Sequence, residues 1–374
     1  MKALTITLLV LAAACSHGEP FSPPDATLDG PLVPGEPLRL TYSSVGGTSA
    51  PAWLPDADSI IYAYGRRGSS FRVPQEGCLG VLASGGGTIG REICSRTIFA
   101  NQMSDVFTFP AVSDAGQLAF MHVGQATQGD AIREAILAAP FDDPTAYTIV
   151  RSFPFQGDAF YLAIDDLQWL GESTLIFIGL AEEQLPPACP TCDPELIRYS
   201  RAVLAADAMG SGTVTVIPGT ETATSVTAGE SADVIYYTLG GDSRIFRRVL
   251  SSGDVTVAHD FGAPTVVRGV DYAAGLIVAM IDGRHASRSA SLGTVQISES
   301  GGMLVMVVPA VGASVPVTTA APMWFRRPAL SANGTEIVAE GEVLQLDPIR
   351  NSVGTIVGYD TIPGPTSIWR LAVP

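Results

Sequence analysis

Lysine is nearly missing from this 374-residue chain: the only one is Lys2, so beyond the first few residues every fixed positive charge is an arginine. Basic residues number 21 against 37 acidic ones, a net charge of -16. A basic footprint for nucleic acid or anionic lipid is therefore lacking, which excludes sequence-independent binding to either. No apolar run reaches the roughly 20 residues that a membrane-spanning helix needs. There is no Gly-x-Ser-x-Gly elbow, and no Gly-x-x-x-x-Gly-Lys loop, which a lysine-free body could not form. The four histidines, His17, His122, His259 and His285, fall in no ligand spacing, so no metal or cofactor site is expected from them. Helical periodicity is also scarce; Asp130 to Ala138 is the best candidate and reads equally well as a loop entering a strand.

The first residues carry a different signal. Met1-Lys2 is a short positive region, Ala3 to Leu11 is apolar, and Ala12-Ala13-Ala14 places small residues before Cys15. That order is an export signal. The run Leu11-Ala-Ala-Ala-Cys15 resembles the lipobox of bacterial lipoproteins, although Ala12 stands where that family prefers leucine. The resemblance implies cleavage before Cys15, a diacylglyceryl group on its sulfur, and anchoring by two or more acyl chains, which hold where one does not. Ser16, in place of an aspartate, directs the expectation to the outer membrane. The implied division is a signal peptide over 1–14, a lipidated Pro/Gly-rich tether over 15–36, and a folded domain over 37–374.

Four cysteines then remain: Cys78, Cys94, Cys189 and Cys192. An even number in an oxidising compartment points to disulfides, and four cysteines allow three connectivities. Sequence order favours Cys78 with Cys94 and Cys189 with Cys192. The latter pair lies in a Pro-rich loop, which reads as a staple and not as a redox site.

From residue 37 onward short runs rich in Val, Ile, Thr, Tyr and Phe alternate with Gly, Asp, Ser and Asn, the pattern of strands joined by turns. A hairpin unit recurs six times, beginning at Pro51, Pro110, Leu167, Val226, Arg268 and Pro328, at intervals of 59, 57, 59, 42 and 60 residues. Each unit carries an apolar pair in its second strand: Ile60-Ile61, Ala119-Phe120, Ile176-Phe177, Ile235-Tyr236, Ile277-Val278 and Ile337-Val338. Two further strand-like runs follow each hairpin, with Leu292 to Ser298 and Leu304 to Val308 assigned to the fifth unit. The sixth has only Ser367 to Val373 after its hairpin, and Pro37 to Tyr42 can complete it. The expectation is an all-β, six-bladed β-propeller of four-stranded antiparallel blades, closed by pairing of the N- and C-terminal strands. Seven blades, or an open β-sandwich pair, are the alternatives.

The pattern Pro-x-x-Ser-x-(Asp/Asn)-Gly before an apolar strand, seen at Pro328 to Val338 and, with Asp114 one place earlier, at Pro110 to Phe120, resembles the TolB-type propeller repeat. Leu167, Val226 and Arg268 replace its leading proline. Neither the α/β domain of TolB nor the hydrolase domain of prolyl peptidases is evident in these residues. The resemblance therefore implies architecture and a tendency to bind proteins or peptides.

Paired charges stand before the innermost strands of units three and six: Asp165-Asp166 and Arg326-Arg327. In a six-bladed ring these blades are opposed, so the pairs face each other across the channel as a rim for a polar-ended peptide or a zwitterion. The other copies are expected to place Ser49, Thr108-Phe109, Thr224-Ser225 and Val266-Val267 there. The functional expectation is a non-enzymatic, envelope-anchored binding module for a protein or peptide partner. Its rival is a secreted propeller enzyme, lactonase-like or lyase-like, with a metal ion in the central channel; the carboxylates available to that rival are Asp105, Asp165, Asp166 and Asp271.

Overall fold

The computed structural model describes residues 32, 36–41, 47–67, 74–99, 105–124, 133–154, 164–184, 197–210, 213–281, 286–290, 293–297, 302–318, 323–363 and 366–374. Cys15, the tether apart from residues 32 and 36, and the Cys189–Cys192 segment lie outside them.

Six antiparallel blades form, in chain order. Blade 1 holds β2 (Thr48–Trp53), β3 (Ser59–Arg67), β4 (Pro74–Ala83) and β5 (Arg91–Cys94), and the short helix α1 (Ser95–Phe99) follows it. Blade 2 holds β6 (Val106–Val112), β7 (Gln117–Gly124), β8 (Arg133–Pro140) and β9 (Thr148–Pro154). Blade 3 holds β10 (Ile164–Leu170), β11 (Thr174–Gln184), β12 (Ile197–Asp207) and β13 (Val214–Val216). Blade 4 holds β14 (Ala223–Ala228), β15 (Val234–Leu239), β16 (Arg244–Val249) and β17 (Val255–Asp260).

Blade 5 departs from the sequence reading. Its first two strands are β18 (Val267–Ala273) and β19 (Leu276–Ile281), but residues 293–297 pair with Ala286–Ala290 as a separate hairpin, β20 and β21. The third and fourth strands are β22 (Met303–Val308) and β23 (Ala313–Pro316), one run later than expected. The inserted hairpin has the composition of a blade strand, and composition does not reveal which neighbour a strand pairs with. Blade 6 contains β24 (Met323–Leu330), the 15-residue β25 (Glu336–Arg350), β27 (Ser367–Ala372) and the N-terminal β1 (Leu38–Arg39). The far half of β25 pairs with β26 (Ile356–Pro363), a strand the sequence reading missed. Of Asp130 to Ala138, the described residues, from Arg133 on, belong to β8.

Ring closure is as expected. Leu38 and Arg39 pair with Arg370 and Trp369, and Leu40 N donates to Ile368 O at 2.8 Å. The last blade thus takes its outermost strand from the other end of the chain, which removes an open joint between first and last blades.

The repeated apolar pair explains how the blades stack. Neighbouring residues of a strand point to opposite faces. Ile60 therefore packs toward blade 6 while Ile61 packs toward blade 2, and Ile176 packs toward blade 4 while Phe177 packs toward blade 2. Six apolar clusters result, one at each blade interface, instead of one central core.

Cys78 and Cys94 lie opposite each other on β4 and β5 and form a disulfide with Cα atoms 4.1 Å apart. Both are buried. Closing a loop of this length limits the unfolded chain, so replacing both cysteines by serine is expected to lower unfolding free energy by about 3 kcal/mol. Urea denaturation of the double variant measures this; an unchanged midpoint would show that the bridge is dispensable.

Candidate functional site

Innermost strands line the axis of the ring, and all six are interrupted. Pairing with the second strand skips between Ser49 and Ala52, Thr108 and Ala111, Asp165 and Gln168, Ala223 and Ser225, Val267 and Gly269, and Arg326 and Ala329. Four bulge residues, Ala50, Phe109, Asp166 and Arg327, take left-handed backbone with φ of 45° to 53°. None is glycine, so each conformation costs on the order of 1 to 3 kcal/mol and is held by its surroundings. Bulges redirect side chains. Here Asp166 is turned toward blade 4, while Arg327 reaches from the opposed blade 6 to the axis.

Arg327 spans it. Its Nη1 donates to Glu340 Oε2 at 2.7 Å on its own blade, its Nη2 lies 3.8 Å from Asp165 Oδ1 on blade 3, and its Cζ sits 4.7 Å from the Phe109 ring centroid on blade 2. Asp165 also accepts from Arg201 Nη2 at 3.0 Å. Arg326 instead turns to Glu342, which is nearly buried on β25. The expected opposition of acidic and basic pairs thus exists through Asp165 and Arg327, while Arg326 is satisfied within its own blade.

Asp166 accepts hydrogen bonds from Ser225 Oγ and, at 3.0 Å, from Val226 N on blade 4. Burial, reinforced by the neighbouring Asp165 carboxylate, pushes its carboxyl up to about 7 against the pull of those hydrogen bonds and of Arg327. Ser225 Oγ in turn accepts from Val270 N at 3.0 Å on blade 5. Asp271 on blade 5 accepts from Thr227 Oγ1 on blade 4 and from Leu330 N on blade 6, both at 2.7 Å. Burial raises its carboxyl to about 6, opposed by these hydrogen bonds.

Two indoles extend this belt. Trp53 Nε1 donates to Ala329 O at 3.0 Å, from blade 1 to blade 6, and Trp169 Nε1 donates to Ala111 O at 3.1 Å, from blade 3 to blade 2. A buried indole N–H needs such a partner.

The layer formed by Asp166, Arg327 and Pro328 borders two cavities. Toward the ends of the innermost strands, where the hairpin turns lie, opens a funnel of about 580 Å³. Its walls include Trp53, Trp169 and Tyr272, with Asp114, Glu172 and Thr227 among the polar groups. Toward the starts of the innermost strands lies a smaller chamber of about 230 Å³ that includes Asp165, Arg201, Arg268 and Arg326. Arg201 and Arg268 were not among the expected rim residues. The bulge of β18 puts Arg268, not Val266-Val267, at the blade 5 position. Arg201 comes from the third strand of its blade, β12, where it pairs with Leu180 of β11, one residue past the Gly179 that pairs with the start of β10.

Asp105, one of the carboxylates open to a metal-dependent enzyme, lies away from the axis. It is buried 3.3 Å from His122 Nε2, and the His122 ring packs against Phe99. Among the described residues no three His, Cys, Asp or Glu side chains come together as a metal site. His259 is half-buried on β17 against Phe261, and His17 and His285 lie outside the described residues.

No family model and no curated protein matches the sequence. Among solved structures, the calcium-binding protein regucalcin from Agrobacterium tumefaciens is similar at 11% identity and a TM-score of 0.49, over 91% of this chain and 95% of that one. A putative gluconolactonase is similar at 12% identity and 0.47, over 91% and 93%. The β-propeller domain of Cps50 (Swd1) from Myceliophteria thermophila is similar at 10% identity and 0.48, over 89% and 99%. Resemblances this distant carry nothing about ligand or activity. The class the chain defines by its own strand order is a ring-closed, six-bladed β-propeller with an axial funnel.

Proposed function

We propose that this protein is an exported lipoprotein, anchored to the outer membrane through lipid on Cys15, whose propeller holds a segment of an envelope protein or peptide in the axial funnel. The observation that carries the binding role is the funnel itself. Its volume falls within the usual range of ligand sites, about 300 to 1,000 Å³. Its wall combines large amphipathic rings with a few fixed polar groups, the mixture that gives contact area and orientation together. The inter-blade hydrogen bonds beneath it keep that wall rigid before a partner arrives, which lowers the ordering cost of binding. The TolB-like repeat supports the same reading.

Asp114 and Glu172 are exposed at the funnel edge, so changing them leaves the packing intact. In cells expressing the full chain, Asp114→Arg with Glu172→Arg is expected to reduce co-isolation of the partner at least tenfold. Asp254→Arg, on a turn of blade 4, is the control and should have no effect. Partner recovery unchanged by the funnel variant removes the funnel from the reading. Intact-mass spectrometry of the mature terminus tests the anchor: an unmodified Cys15 would eliminate it and leave the propeller reading standing.

One observation favours the enzymatic alternative: Asp166 and Asp271, both on the funnel wall, are held near 7 and 6, where a carboxyl can exchange protons at neutral pH. Lactone hydrolysis or elimination from an acidic sugar, with and without added divalent cation, measures that reading. Activity abolished in Asp166→Asn would replace the binding role with a catalytic one.

A further inference from the structure

Free charge around the axial funnel is of one sign. Its wall carries four carboxyl groups from three blades: Asp114 on blade 2, Asp166 and Glu172 on blade 3, and Asp271 on blade 5. Arg327 is the one basic residue among the described wall residues. Its guanidinium is engaged by Glu340 at 2.7 Å and by Asp165 at 3.8 Å, neither of which lines the funnel. Asp114 and Glu172 are exposed at the edge and form no ion pair among the described residues. A concave wall bearing one sign of charge focuses its field in the opening and raises the local concentration of the opposite sign.

The two deeper carboxyls are held by neutral donors: Asp166 by Ser225 Oγ and Val226 N, Asp271 by Thr227 Oγ1 and Leu330 N. Burial raises both, and a cation brought over them favours their charged form. The aromatic wall acts in the same direction. Trp53, Trp169 and Tyr272 stand in it from blades 1, 3 and 5. Both indoles spend their N–H groups on backbone carbonyls, those of Ala329 and Ala111, so they give the funnel ring surface and no donor. A ring face attracts a cation through its quadrupole, most strongly for tryptophan. Carboxylates and ring faces together attract a cation and repel an anion.

The spread of these groups narrows the ligand. Among the described residues no three acidic, histidine or cysteine side chains converge as a metal site. The carboxyls instead run from the exposed edge, at Asp114 and Glu172, to Asp271, which is 8% exposed in the wall. Such a spread fits an organic ligand with more than one cationic arm. A cavity of about 580 Å³ encloses a ligand of drug size, which is a short stretch of chain with its side chains.

We infer that the funnel takes a basic peptide segment, whose lysine or arginine side chains meet the carboxylates of blades 2, 3 and 5 and the aromatic rings between them. This rests on the proposed binding role of the funnel and names the chemistry of the segment that enters it. Charge of this kind supplies selectivity among partners more than raw affinity.

The test titrates the full chain with the end-blocked pentapeptide Gly-Lys-Gly-Lys-Gly, with its arginine counterpart, and with the same lysine peptide acetylated on both side chains. Calorimetry near physiological ionic strength, where long-range attraction is screened, reads the affinity. Saturable binding of the lysine or the arginine peptide at submillimolar affinity is expected, and acetylation should weaken it at least tenfold. Asp114→Asn with Glu172→Gln should also weaken it at least tenfold. Tyr272→Leu should cost roughly two- to fivefold, the worth of one cation–ring contact, while Tyr272→Phe, which keeps the ring, stays close to wild type and guards against a variant that merely misfolds. Asp142→Asn with Asp254→Asn removes the same charge from exposed turns outside the funnel and should match wild type. An equal loss in that control would assign the effect to the net charge of the protein and overturn the inference. Displacement of the peptide by micromolar calcium chloride would make the funnel a metal site and overturn it as well. Equal affinity for the charged and acetylated peptides overturns the charge selectivity alone and leaves the funnel a peptide site. Binding of none of the peptides up to about 5 mM, well above a submillimolar dissociation constant, overturns the inference too, and the co-isolation experiment then decides the funnel's binding role by itself.

Discussion

Arg327→Ala is expected to lower the unfolding free energy by about 2 to 4 kcal/mol, more than any other single exposed-to-half-buried arginine. The reason is the group left behind. Glu340 is 4% exposed and accepts from Arg327 Nη1 at 2.7 Å. Removing one member of such a pair leaves an uncompensated charge in a poorly solvated place, which costs several kcal/mol; the partial exposure of Arg327 reduces the figure to the range given. The loss also removes the cation held over Phe109 and the contact to Asp165 across the axis. In the double variant Arg327→Ala with Glu340→Gln, most of the loss should return, because the stranded charge is gone. Urea unfolding of wild type, both single variants and the double variant measures the coupling. Additive effects would mean that the pair does not hold the channel together.

The second large effect is on pH dependence. Asp271 and Asp166 have carboxyls raised by burial to about 6 and about 7, from 3.8 in the unfolded chain. The folded state therefore binds more protons than the unfolded state between these values, and stability must fall as pH rises from about 4 to about 7. For Asp271 the loss is on the order of 3 kcal/mol, since two pH units correspond to about that much. Asp271→Asn cannot ionise. Its amide can still accept from Leu330 N and donate to Thr227 Oγ1, so the variant should match wild type near pH 4 and exceed it above pH 7. Melting temperature from pH 4 to 8 records the difference. Parallel curves for the two proteins would show that Asp271 titrates as an ordinary carboxyl. The self-repulsion of the net charge lowers stability in the same direction, but equally in both proteins, so the comparison isolates the buried group.

Asp166 and Arg327 belong to the wall of both cavities, so a charge change on either is felt at both ends of the axis. Their left-handed backbone shows that the fold accepts local strain to hold them there.

Most of the ring was legible in order along the chain. The apolar pairs, such as Ile60-Ile61 and Ile176-Phe177, disclosed a strand covered on both faces, which a two-residue period makes unavoidable when sheets stack on either side. The turn centres Ser113-Asp-Ala-Gly116 and Ser331-Ala-Asn-Gly334 disclosed the hairpins: Gly116 and Gly334 take positive φ, and the serine side chains bond the turn backbone. Less of the site was legible. The charged doublets could be seen, but a doublet does not say which of its two members turns to the axis. Asp165 and Arg327 meet across it, while Asp166 turns to blade 4 and Arg326 to Glu342, because the pairing register slips at the bulge, and the slip is set by packing of the whole blade. Arg201 and Arg268 escaped notice for the same reason, since neither forms part of a doublet at the aligned position.

Sequence by itself determined the all-β class and pointed first to six blades, to closure by both chain ends and to the Cys78–Cys94 pairing, each of which the structure bears out. These follow from local chemistry: alternating apolar residues, turn formers, and two cysteines one hairpin apart. The export and lipid signal at Cys15 is likewise a matter of sequence alone, and it stands as a proposal. Only the tertiary structure decided how the axis is built. It placed Asp165 beside Arg327, sent Arg326 to Glu342, withdrew Asp105 to a buried pair with His122, and joined four arginines in one chamber. Electrostatic partners in this protein are brought together from blades distant in sequence, and a side chain's neighbours across a ring follow from register and bulge geometry, which no short stretch of sequence encodes.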